Sequence, residues 1–217
     1  MKIIIIGGVA GGASAATRLR RMNETNEIIM FERSDYISFA NCGLPYHIGE
    51  TIKDRYIPLV QTVKGMKDRF GIDVRVKTEV LKINPKEKTV LAKNLLTGEK
   101  YEESYDKLLL SPGAEAFIPP IPGVHSKNIY SLRNMSDMDK IKSKVDKKVK
   151  RAVVIGAGFI GLEIAENLVE RDIEVTIIEK SNQVLAPVDF EIASEVHQHI
   201  KEFKTELFLA YLNSIFG

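Results

Sequence analysis

The stretch Ile3–Arg33, IIIIGGVAGGASAATRLRRMNETNEIIMFER, has the same pattern as Ala152–Lys180, AVVIGAGFIGLEIAENLVERDIEVTIIEK. Each copy passes from an apolar strand into a glycine turn, then into an alanine-rich helix and a second apolar strand that ends in glutamate. This order is typical of the βαβ unit that binds dinucleotides. Two copies in one chain predict an α/β fold with two Rossmann-like units, in which parallel sheets lie within three layers.

The second copy carries the complete glycine pattern GxGxxG, formed by Gly156, Gly158 and Gly161. The first glycine permits a tight turn, the second lets a pyrophosphate approach the backbone, and the third lets the helix pack closely on the strand. The helix N-terminus favours the negative charge of the phosphates. Glu179 ends the next strand, 23 residues after Gly156, where an acid binds ribose hydroxyls and repels a 2′-phosphate. We therefore expect NADH, although Lys180 weakens the preference and leaves NADPH open.

The first copy departs from this pattern at one position. Its turn is GGVAGG, in which Val9 occupies the place of the middle glycine. Glu32 ends the following strand, 25 residues after the first glycine, as the acid does in the second copy. For both copies, glycines that serve only helix packing remain the alternative. The candidate cofactor contacts in this turn are Gly7, Gly8, Gly11 and Gly12.

Two dinucleotide units predict two dinucleotides, one of them FAD. At this point the chain resembles the flavin-dependent pyridine nucleotide-disulfide oxidoreductases, because YDKLLLSPGAEAFIPPIPG is similar to their second FAD segment. Ser111 and Gly113 flank a proline there, where the family more often has Ala-Thr-Gly. The resemblance implies FAD contacts at these two residues, at Arg33, and at the backbone of Val80, which is otherwise a plain strand residue.

The stretch SFANCGLPY contains Cys42, the only cysteine of the chain. Within the family it resembles the coenzyme A-disulfide reductase branch and its relatives, which include NADH oxidase, NADH peroxidase and NADH-dependent persulfide reductases. The resemblance implies that Cys42 is the redox-active residue beside the flavin, and a helix that begins nearby would favour the thiolate. With no partner cysteine, its oxidised form is a mixed disulfide with a small thiol or a sulfenic acid. The alternative is a buried structural cysteine.

The branches differ in the first glycine turn, where the oxidases and peroxidases carry a histidine and this chain has Ala10. This difference favours coenzyme A disulfide or a persulfide as the substrate. Arg18 and Arg21 share one helix face and suit a phosphate-rich ligand, or they form a solvated basic edge. The resemblance implies that five residues contact coenzyme A: Ser14, Arg18, Arg21, Ser38 and Asn41.

The resemblance also implies a mechanism. NADH binds the second unit and passes hydride to FAD, which reduces the disulfide between Cys42 and a coenzyme A thiol. The freed thiolate then attacks the next coenzyme A disulfide. Glu163 resembles a family residue near the nicotinamide, with an ordinary helical glutamate as the alternative.

The composition excludes several other classes of protein. The 217 residues are 44% apolar and 28% charged, and 31 basic against 29 acidic residues leave a net charge of +2, which gives no reason to expect a nucleic-acid partner. A single cysteine excludes an intrachain disulfide and fits a reducing cytoplasm. No apolar run is long enough to cross a membrane. The four histidines show no metal-ligand spacing, so we expect no metal.

The order of the motifs predicts two domains. Residues 1–115 form an FAD-binding domain that lacks the returning segment of the family, and residues 116–217 form a partial NAD(P)-binding domain. Within the first domain, turn signals at Asn84-Pro85 and Thr97-Gly98 predict that residues 70–110 form antiparallel strands with a hairpin. The last predicted strand is Glu206–Ala210. Because family members are about twice as long and form homodimers, the chain is expected to be a fragment with little turnover or an inactive dinucleotide-binding protein.

Overall fold

A computed structural model describes residues 1–203 and 205–211, which form two compact units. The first unit comprises Met1–Ala40 and Tyr56–Glu115. The second unit comprises Asn41–Arg55 and the described residues from Ala116 onward. The chain passes from the first unit to the second between Glu115 and Ala116, and the segment Asn41–Arg55 belongs by its contacts to the second unit and not to the first. The FAD-binding and NAD(P)-binding roles of the two domains stay predictions.

The elements alternate along the chain as the repeat predicts. The strands are β1 (Lys2–Ile6), β2 (Glu27–Phe31), β3 (Asp73–Arg75), β4 (Thr78–Asn84), β5 (Thr89–Asn94), β6 (Lys100–Ser104), β7 (Lys107–Leu110), β8 (Arg151–Ile155), β9 (Glu174–Ile178) and β10 (Glu206–Phe208). The helices are α1 (Ala10–Met22), α2 (Leu44–Ile48), α3 (Val63–Phe70), α4 (Met135–Val145), α5 (Phe159–Val169) and α6 (Phe190–Glu202). A single 3-10 turn, Asn41–Gly43, precedes α2. Strand β10 begins where the sequence predicts and ends two residues earlier.

The first unit is built on a parallel sheet with the strand order β3-β2-β1-β7. A second sheet, β4-β5-β6, is antiparallel, as the turn signals predict. The antiparallel prediction was wrong for β3 and β7, which join the parallel sheet. In β7, Leu108 and Leu109 pack into the cores on opposite faces of that sheet, and such two-sided burial is typical of a parallel strand rather than a hairpin strand.

Burial of β1 on both faces gives the first unit its three layers. Ile3 and Ile5 pack toward α1, in a core that includes Ala16. Ile4 packs on the opposite face, in a core that includes Val90 of the antiparallel sheet. The run of four isoleucines therefore lies at the centre of a helix–sheet–sheet arrangement, which confirms the three layers expected from the sequence.

One arginine closes the edge of the sheet-to-sheet core. The Arg75 guanidinium carbon lies 5.5 Å from the ring centroid of Phe31 and 5.7 Å from that of Tyr101. Its Nη1 atom also donates to Glu103 at 2.6 Å, and Lys2 contacts the same carboxylate at 2.5 Å. Burial opposes the charge of Glu103, but hydrogen bonds from Lys2 and Arg75 outweigh it and lower the pKa of this carboxyl group.

The second unit repeats the βαβ order with fewer strands. Its parallel sheet has the order β10-β9-β8, and α5 connects β8 to β9. Alternate residues of the sheet are buried, among them Val175 and Ile177 of β9. On the other face Val153 and Ile155 of β8 are exposed. None of the helices in the described part of the chain has the length and hydropathy that a membrane span requires.

We expect the replacement Ile4→Ala to lower the free energy of unfolding by about 2–5 kcal/mol, because it leaves a cavity between the two sheets. Ile4 of β1 is fully buried in the core between the parallel and the antiparallel sheets. Leu96→Ala is the control, since Leu96 is 78% exposed at the tip of the β5–β6 hairpin. Urea titration of the three proteins measures the difference. Equal losses of stability in the two variants would contradict the three-layer core.

Candidate functional site

Both glycine turns have the same backbone geometry. Gly7 and Gly156 adopt φ angles of +96° and +98°, which favour glycine over other residues. Each helix then passes close to its strand. A Cβ atom on Gly12 would lie 1.7 Å from the Gly7 carbonyl oxygen, and a Cβ atom on Gly161 would lie 2.0 Å from that of Gly156. These four glycines are therefore required by the backbone itself, and packing alone accounts for them.

Gly158 differs from these four glycines. Its backbone has an ordinary φ of −76° and an extended ψ, and a Cβ atom there would meet no other atom within 4 Å. An alanine would therefore fit both the conformation and the surrounding space. Packing gives no reason for a glycine here, whereas a pyrophosphate that approaches the backbone does. The second turn thus fits a dinucleotide.

The helices that follow the two turns also have open N-termini. The N-cap residues Val9 of α1 and Gly158 of α5 make no side-chain cap, and neither helix has an acid in its first turn. By contrast, Thr62 caps α3 and Asn134 caps α4 through side-chain oxygens that accept backbone N–H bonds. The uncapped N–H groups of α1 and α5, with the helix dipole, favour an anion at each turn.

The acid at the end of the second strand holds each turn in place. Glu32 accepts hydrogen bonds from the backbone N–H groups of Gly8 and Ser34, both at 2.8 Å. Glu179 accepts from those of Ala157 and Ser181, both at 2.7 Å. Each oxygen uses one of its two acceptor directions in this way, so each carboxylate retains acceptor capacity for a ribose hydroxyl.

The environment keeps Glu179 ionised. Burial disfavours its charged form, but the backbone hydrogen bonds from Ala157 and Ser181 outweigh this effect and lower the pKa of the carboxyl group. A carboxylate held ionised at this position repels a second anion, and the 2′-phosphate of NADPH is such an anion.

The predicted second FAD segment lies against the first glycine turn. A Cβ atom on Gly7 would lie 1.9 Å from the Ser111 carbonyl oxygen, and one on Gly11 would lie 2.6 Å from the Ser111 Oγ atom. The Ser111 backbone N–H also donates to the Ile6 carbonyl oxygen at 2.8 Å. Gly113 follows with a φ of +72°. The structure therefore brings Ser111 and the turn together.

Two other predicted FAD contacts, Arg33 and Val80, lie in the first unit. Arg33 forms ion pairs with Glu115 and, at 3.8 Å, with Glu79, so its guanidinium is bound to carboxylates on the protein surface. Val80 is half-buried in β4, and the register of the β4–β5 pair shifts between Val80 and Lys82. Neither observation tests a flavin contact, and both roles stay predictions.

The thiol of Cys42 is exposed, which excludes a buried structural cysteine. It lies in the 3-10 turn that leads into α2, with Asn41 exposed before it and Gly43 buried after it. Pro45 occupies the first turn of α2, where its missing N–H group costs no helical hydrogen bond. The residues that follow Cys42 are thus packed while the sulfur remains accessible.

The residues implied for coenzyme A fall into two sets. Ser14, Arg18 and Arg21 are all exposed on α1, at a spacing that places them along one helix face. Ser38 is half-buried at a φ of +45°, and its N–H donates to the Gly8 carbonyl oxygen at 2.9 Å. Asn41 belongs to the second unit.

A cleft lies beside the C-terminal end of α1 in the first unit. Its volume is about 550 Å³. Arg20 is held there by the carbonyl oxygens of Phe70, at 2.7 Å, and Gly71, at 3.1 Å. Arg21 and Arg69 also line the cleft. Glu24 adds one carboxylate to the lining, so the three arginines leave the cleft with an excess of positive charge and room for a ligand group.

Glu163 is half-buried in the second turn of α5. Its carbonyl oxygen accepts a hydrogen bond from the side chain of Asn167 at 2.8 Å. This placement on the helix that follows the second glycine turn agrees with the implied nicotinamide contact, and an ordinary helical glutamate would occupy the same place. Its role stays a prediction.

The family model of the pyridine nucleotide-disulphide oxidoreductases matches residues 1–209. The chain belongs to this family. Its members are oxidoreductases, and FAD and NAD(P)H are the family's cofactors. The two Rossmann-like units and the repeated glycine turns described above are therefore features of a pyridine nucleotide-disulphide oxidoreductase.

Several members of the family are similar to this chain. Coenzyme A disulfide reductase of Staphylococcus haemolyticus (strain JCSC1435) is 46% identical over 184 residues, which are 84% of this chain and 41% of the relative. The crystal structure of reduced Bacillus anthracis CoADR-RHD is 55% identical, with a TM-score of 0.94 over 96% of this chain and 38% of the other. The NAD-dependent persulfide reductase of A. fulgidus is 34% identical, with a TM-score of 0.91 over 97% and 40%. The chain thus spans about two fifths of the length of these relatives.

The hydrogen bonds by which the two acids hold their turns were not predicted from the sequence, although a signal for them is present. Both copies continue past the acid with a basic residue and a serine, as Glu32-Arg33-Ser34 and Glu179-Lys180-Ser181. The backbone N–H of that serine is the second donor to the carboxylate in each unit. The repeated serine two residues after the acid therefore marks this hydrogen bond in both copies.

We expect Glu179→Gln to lower stability at pH 7 by about 1–3 kcal/mol, because charge-assisted hydrogen bonds to the turn are replaced by neutral ones. Since the folded-state pKa of Glu179 lies below its usual 4.5, its ionised form stabilises the protein above pH 4.5, and this contribution is lost as the pH falls through the lowered pKa. The difference between wild type and variant should therefore shrink below pH 4.5. Urea titrations at pH 7 and pH 3.5 measure it, with the exposed Glu195→Gln as control. A difference that stays constant with pH would contradict the prediction.

Proposed function

We propose that this chain provides the FAD-binding and NADH-binding turns and the reactive thiol of a reductase that acts on coenzyme A disulfide or a related small disulfide or persulfide. The observation that carries the proposal is the exposed Cys42, the only cysteine in a chain with two dinucleotide turns. A thiol without a partner cysteine in its chain can form a disulfide with a sulfur that belongs to a substrate. The single free thiol also supports a reducing cytoplasm as its location, and the homodimer stays a prediction.

The first unit is the proposed FAD domain. The open N-terminus of α1 would hold the pyrophosphate, Glu32 would accept from the adenosine ribose, and Ser111 would lie beside the same turn. The observation that supports this fit is the uncapped, acid-free start of α1, which leaves backbone donors for an anion. When bound, FAD supplies the two-electron chemistry that links NADH oxidation to disulfide reduction.

The second unit is the proposed NADH domain. The open space at Gly158 and the uncapped start of α5 would receive the pyrophosphate, and Glu179 would accept from the ribose. The ionised Glu179 favours NADH over NADPH, because the 2′-phosphate would lie beside a carboxylate. Titration of the chain with both dinucleotides measures this preference, and equal affinity for NADPH would overturn it.

Cys42 would carry out thiol–disulfide exchange. Its thiolate attacks one sulfur of the substrate disulfide, so that the bond between Cys42 and that sulfur forms while the original S–S bond breaks. The other substrate sulfur leaves as a thiolate, and no electrons are gained or lost in this step. The exposed sulfur, followed by the buried Gly43 and Leu44, gives a substrate access to a thiol whose C-terminal side is packed.

Coenzyme A disulfide is the substrate that the residues favour. Arg18 and Arg21 present two guanidinium groups on one exposed face of α1, and planar guanidinium groups suit phosphate. Similar proteins named coenzyme A disulfide reductase and persulfide reductase support the same substrate class. Ala10 in the first turn, in place of the histidine of the oxidases and peroxidases, supports a disulfide rather than peroxide.

We expect Gly158→Ala to leave stability nearly unchanged but to weaken NADH binding about tenfold or more, which corresponds to at least ~1.4 kcal/mol. The added methyl group fits the structure, but it occupies the space that a pyrophosphate needs. Isothermal titration with NADH and thermal melting measure the two effects. Phe159→Ala, next to it and 61% exposed, serves as a control for any change in the turn. Unchanged NADH affinity in Gly158→Ala would reject a pyrophosphate site at this glycine.

The test of the proposed reaction is the capture of coenzyme A by Cys42. Incubation of the reduced chain with coenzyme A disulfide should add one coenzyme A group per chain, and reducing agent should remove it. Intact-mass spectrometry follows the rate, with Cys42→Ser as the negative control. Arg18→Gln/Arg21→Gln should slow capture about tenfold at low salt and less at high salt, because screening weakens the attraction to phosphate.

The reactions of Cys42 with cystine and with peroxide distinguish a coenzyme A-disulfide reductase from an oxidase or a peroxidase. Capture from coenzyme A disulfide should be faster than from cystine, which lacks phosphates. Rapid conversion of Cys42 to a sulfenic acid by peroxide, with slow capture of coenzyme A, would favour the oxidase and peroxidase branches. Binding of both dinucleotides without any capture would leave a dinucleotide-binding role alone and would reject the proposed reaction.

A further inference from the structure

The C-terminal end of helix α2 is held by an arginine that lies two residues after helix α5. The Nη1 atom of Arg171 donates to the Ile48 carbonyl oxygen, the last of α2, at 3.0 Å. The same atom lies 3.4 Å from a carboxylate oxygen of Glu50, and Nη2 lies 2.9 Å from one of Asp146. One largely buried guanidinium therefore contacts the ends of both α2 and α4.

A lysine completes this network. Lys142 Nζ lies 3.1 Å from the carboxylates of both Glu50 and Asp146, so two cations alternate with two anions. Burial opposes the charge of Asp146, but hydrogen bonds from Arg171 and Lys142 outweigh it and lower the pKa of its carboxyl group. The side chains of Arg171 and Lys142 are only 19% and 17% exposed, whereas those of Glu50 and Asp146 are 51% and 44% exposed, so solvent screens the outer, carboxylate side of this network.

A second contact fixes the same end of α2 by shape. Gly49, the C-cap of α2, has an ordinary φ of −73°, yet a Cβ atom on it would lie 2.1 Å from the Asn167 Oδ1 atom. Asn167 is 1% exposed on α5, and its Nδ2 atom donates to the Glu163 carbonyl oxygen, which orients the amide. Its buried Oδ1 atom has no hydrogen-bond partner among the described residues. The close approach of α2 to α5 therefore requires the glycine.

The position of α2 determines that of Cys42. Helix α2 has five residues, about 7.5 Å of rise, and Leu44, Pro45 and Ile48 are buried. So short and well packed a helix moves as one piece, and the thiol lies two residues before its first residue. A shift at its C-terminal end is therefore transmitted to Cys42.

We propose that Arg171 and Asn167 are positioning residues for Cys42, which hold α2, the helix directly after the cysteine turn, against the helix that follows the second glycine turn. The effect on capture of coenzyme A rests on the proposed function, whereas the hold on residues 41–55 does not. Neither residue touches the thiol, so both act through α2. Helix α5 thus supports the second glycine turn at its start and the cysteine segment near its end.

The test compares Arg171→Gln, Arg171→Lys and the matched control Arg151→Gln in the full chain. Arg151 is exposed at the start of β8 and makes no ion pair among the described residues, so its replacement removes the same charge without affecting α2. Hydrogen exchange of the peptide spanning residues 41–55 is the first measurement. We expect Arg171→Gln to speed this exchange about tenfold, while exchange in β8 and β9 stays as in wild type.

The second measurement is the rate at which Cys42 captures coenzyme A, compared with its alkylation by iodoacetamide, which needs no precise approach. Arg171→Gln should slow capture on the order of tenfold and change alkylation less than twofold, because misplacement affects only the oriented reaction. Arg171→Lys should restore part of the capture rate, since an ammonium group keeps the charge and a donor. Gly49→Ala, which creates the clash with Asn167, should slow capture in the same way.

The outcomes separate this proposal from the proposed function. Unchanged exchange in residues 41–55 of Arg171→Gln overturns the positioning role, whatever the capture rate. Equal slowing of capture and alkylation also overturns it, because that result indicates a general loss of structure. Failure of the wild-type chain to capture coenzyme A rejects the proposed function, while faster local exchange in Arg171→Gln would still support the hold on α2.

Discussion

The close approach of helix to strand at each glycine turn is the constraint on which the two units depend. The helix backbone at Gly12 and Gly161 lies where a single methyl group would collide with the carbonyl oxygen of the first glycine. This contact sets where each helix begins, and hence where its unpaired N–H groups lie. The acid at the end of the second strand, Glu32 or Glu179, then holds the turn by two backbone hydrogen bonds. The atoms that fix each glycine turn in the fold therefore also form the candidate nucleotide site.

Shared atoms make it difficult to separate structural from functional residues. Most glycines of the turns are explained by backbone geometry alone, so their presence by itself does not indicate a ligand. Gly158 is informative because neither its conformation nor its neighbours require it. The start of α5 is also informative: α3 and α4 have side-chain caps, and α6, which lacks one, has Glu191 in its first turn, whereas α5 has neither a cap nor an acid. Features that neither backbone conformation nor packing explains therefore provide the evidence for a bound nucleotide.

Much of the fold could be predicted from the sequence, because the period of the apolar residues and the glycine spacing are local signals. The repeated βαβ units, the antiparallel sheet and the helix that begins near Cys42 follow from such signals. The pairing of β3 and β7 was missed, since parallel pairing joins strands far apart in the chain and depends on which faces the rest of the fold covers. The contacts of Arg171 and Asn167 were missed for a similar reason. Each is an ordinary helical or turn residue in sequence, and only the path of α2 brings Ile48 and Gly49 against them.

The assignment of Asn41–Arg55 to the second unit has a consequence for protein engineering. A chimera made by joining two relatives at residue 115 would separate this segment from the helices that hold it. Its α2 would then pack on the α4 and α5 of the other parent. The hydrogen bond to the Ile48 carbonyl oxygen and the close contact at Gly49 would then depend on the residues of that parent. Such a chimera needs two further junctions, one on each side of residues 41–55. The cysteine segment and the helices that hold it then come from the same parent.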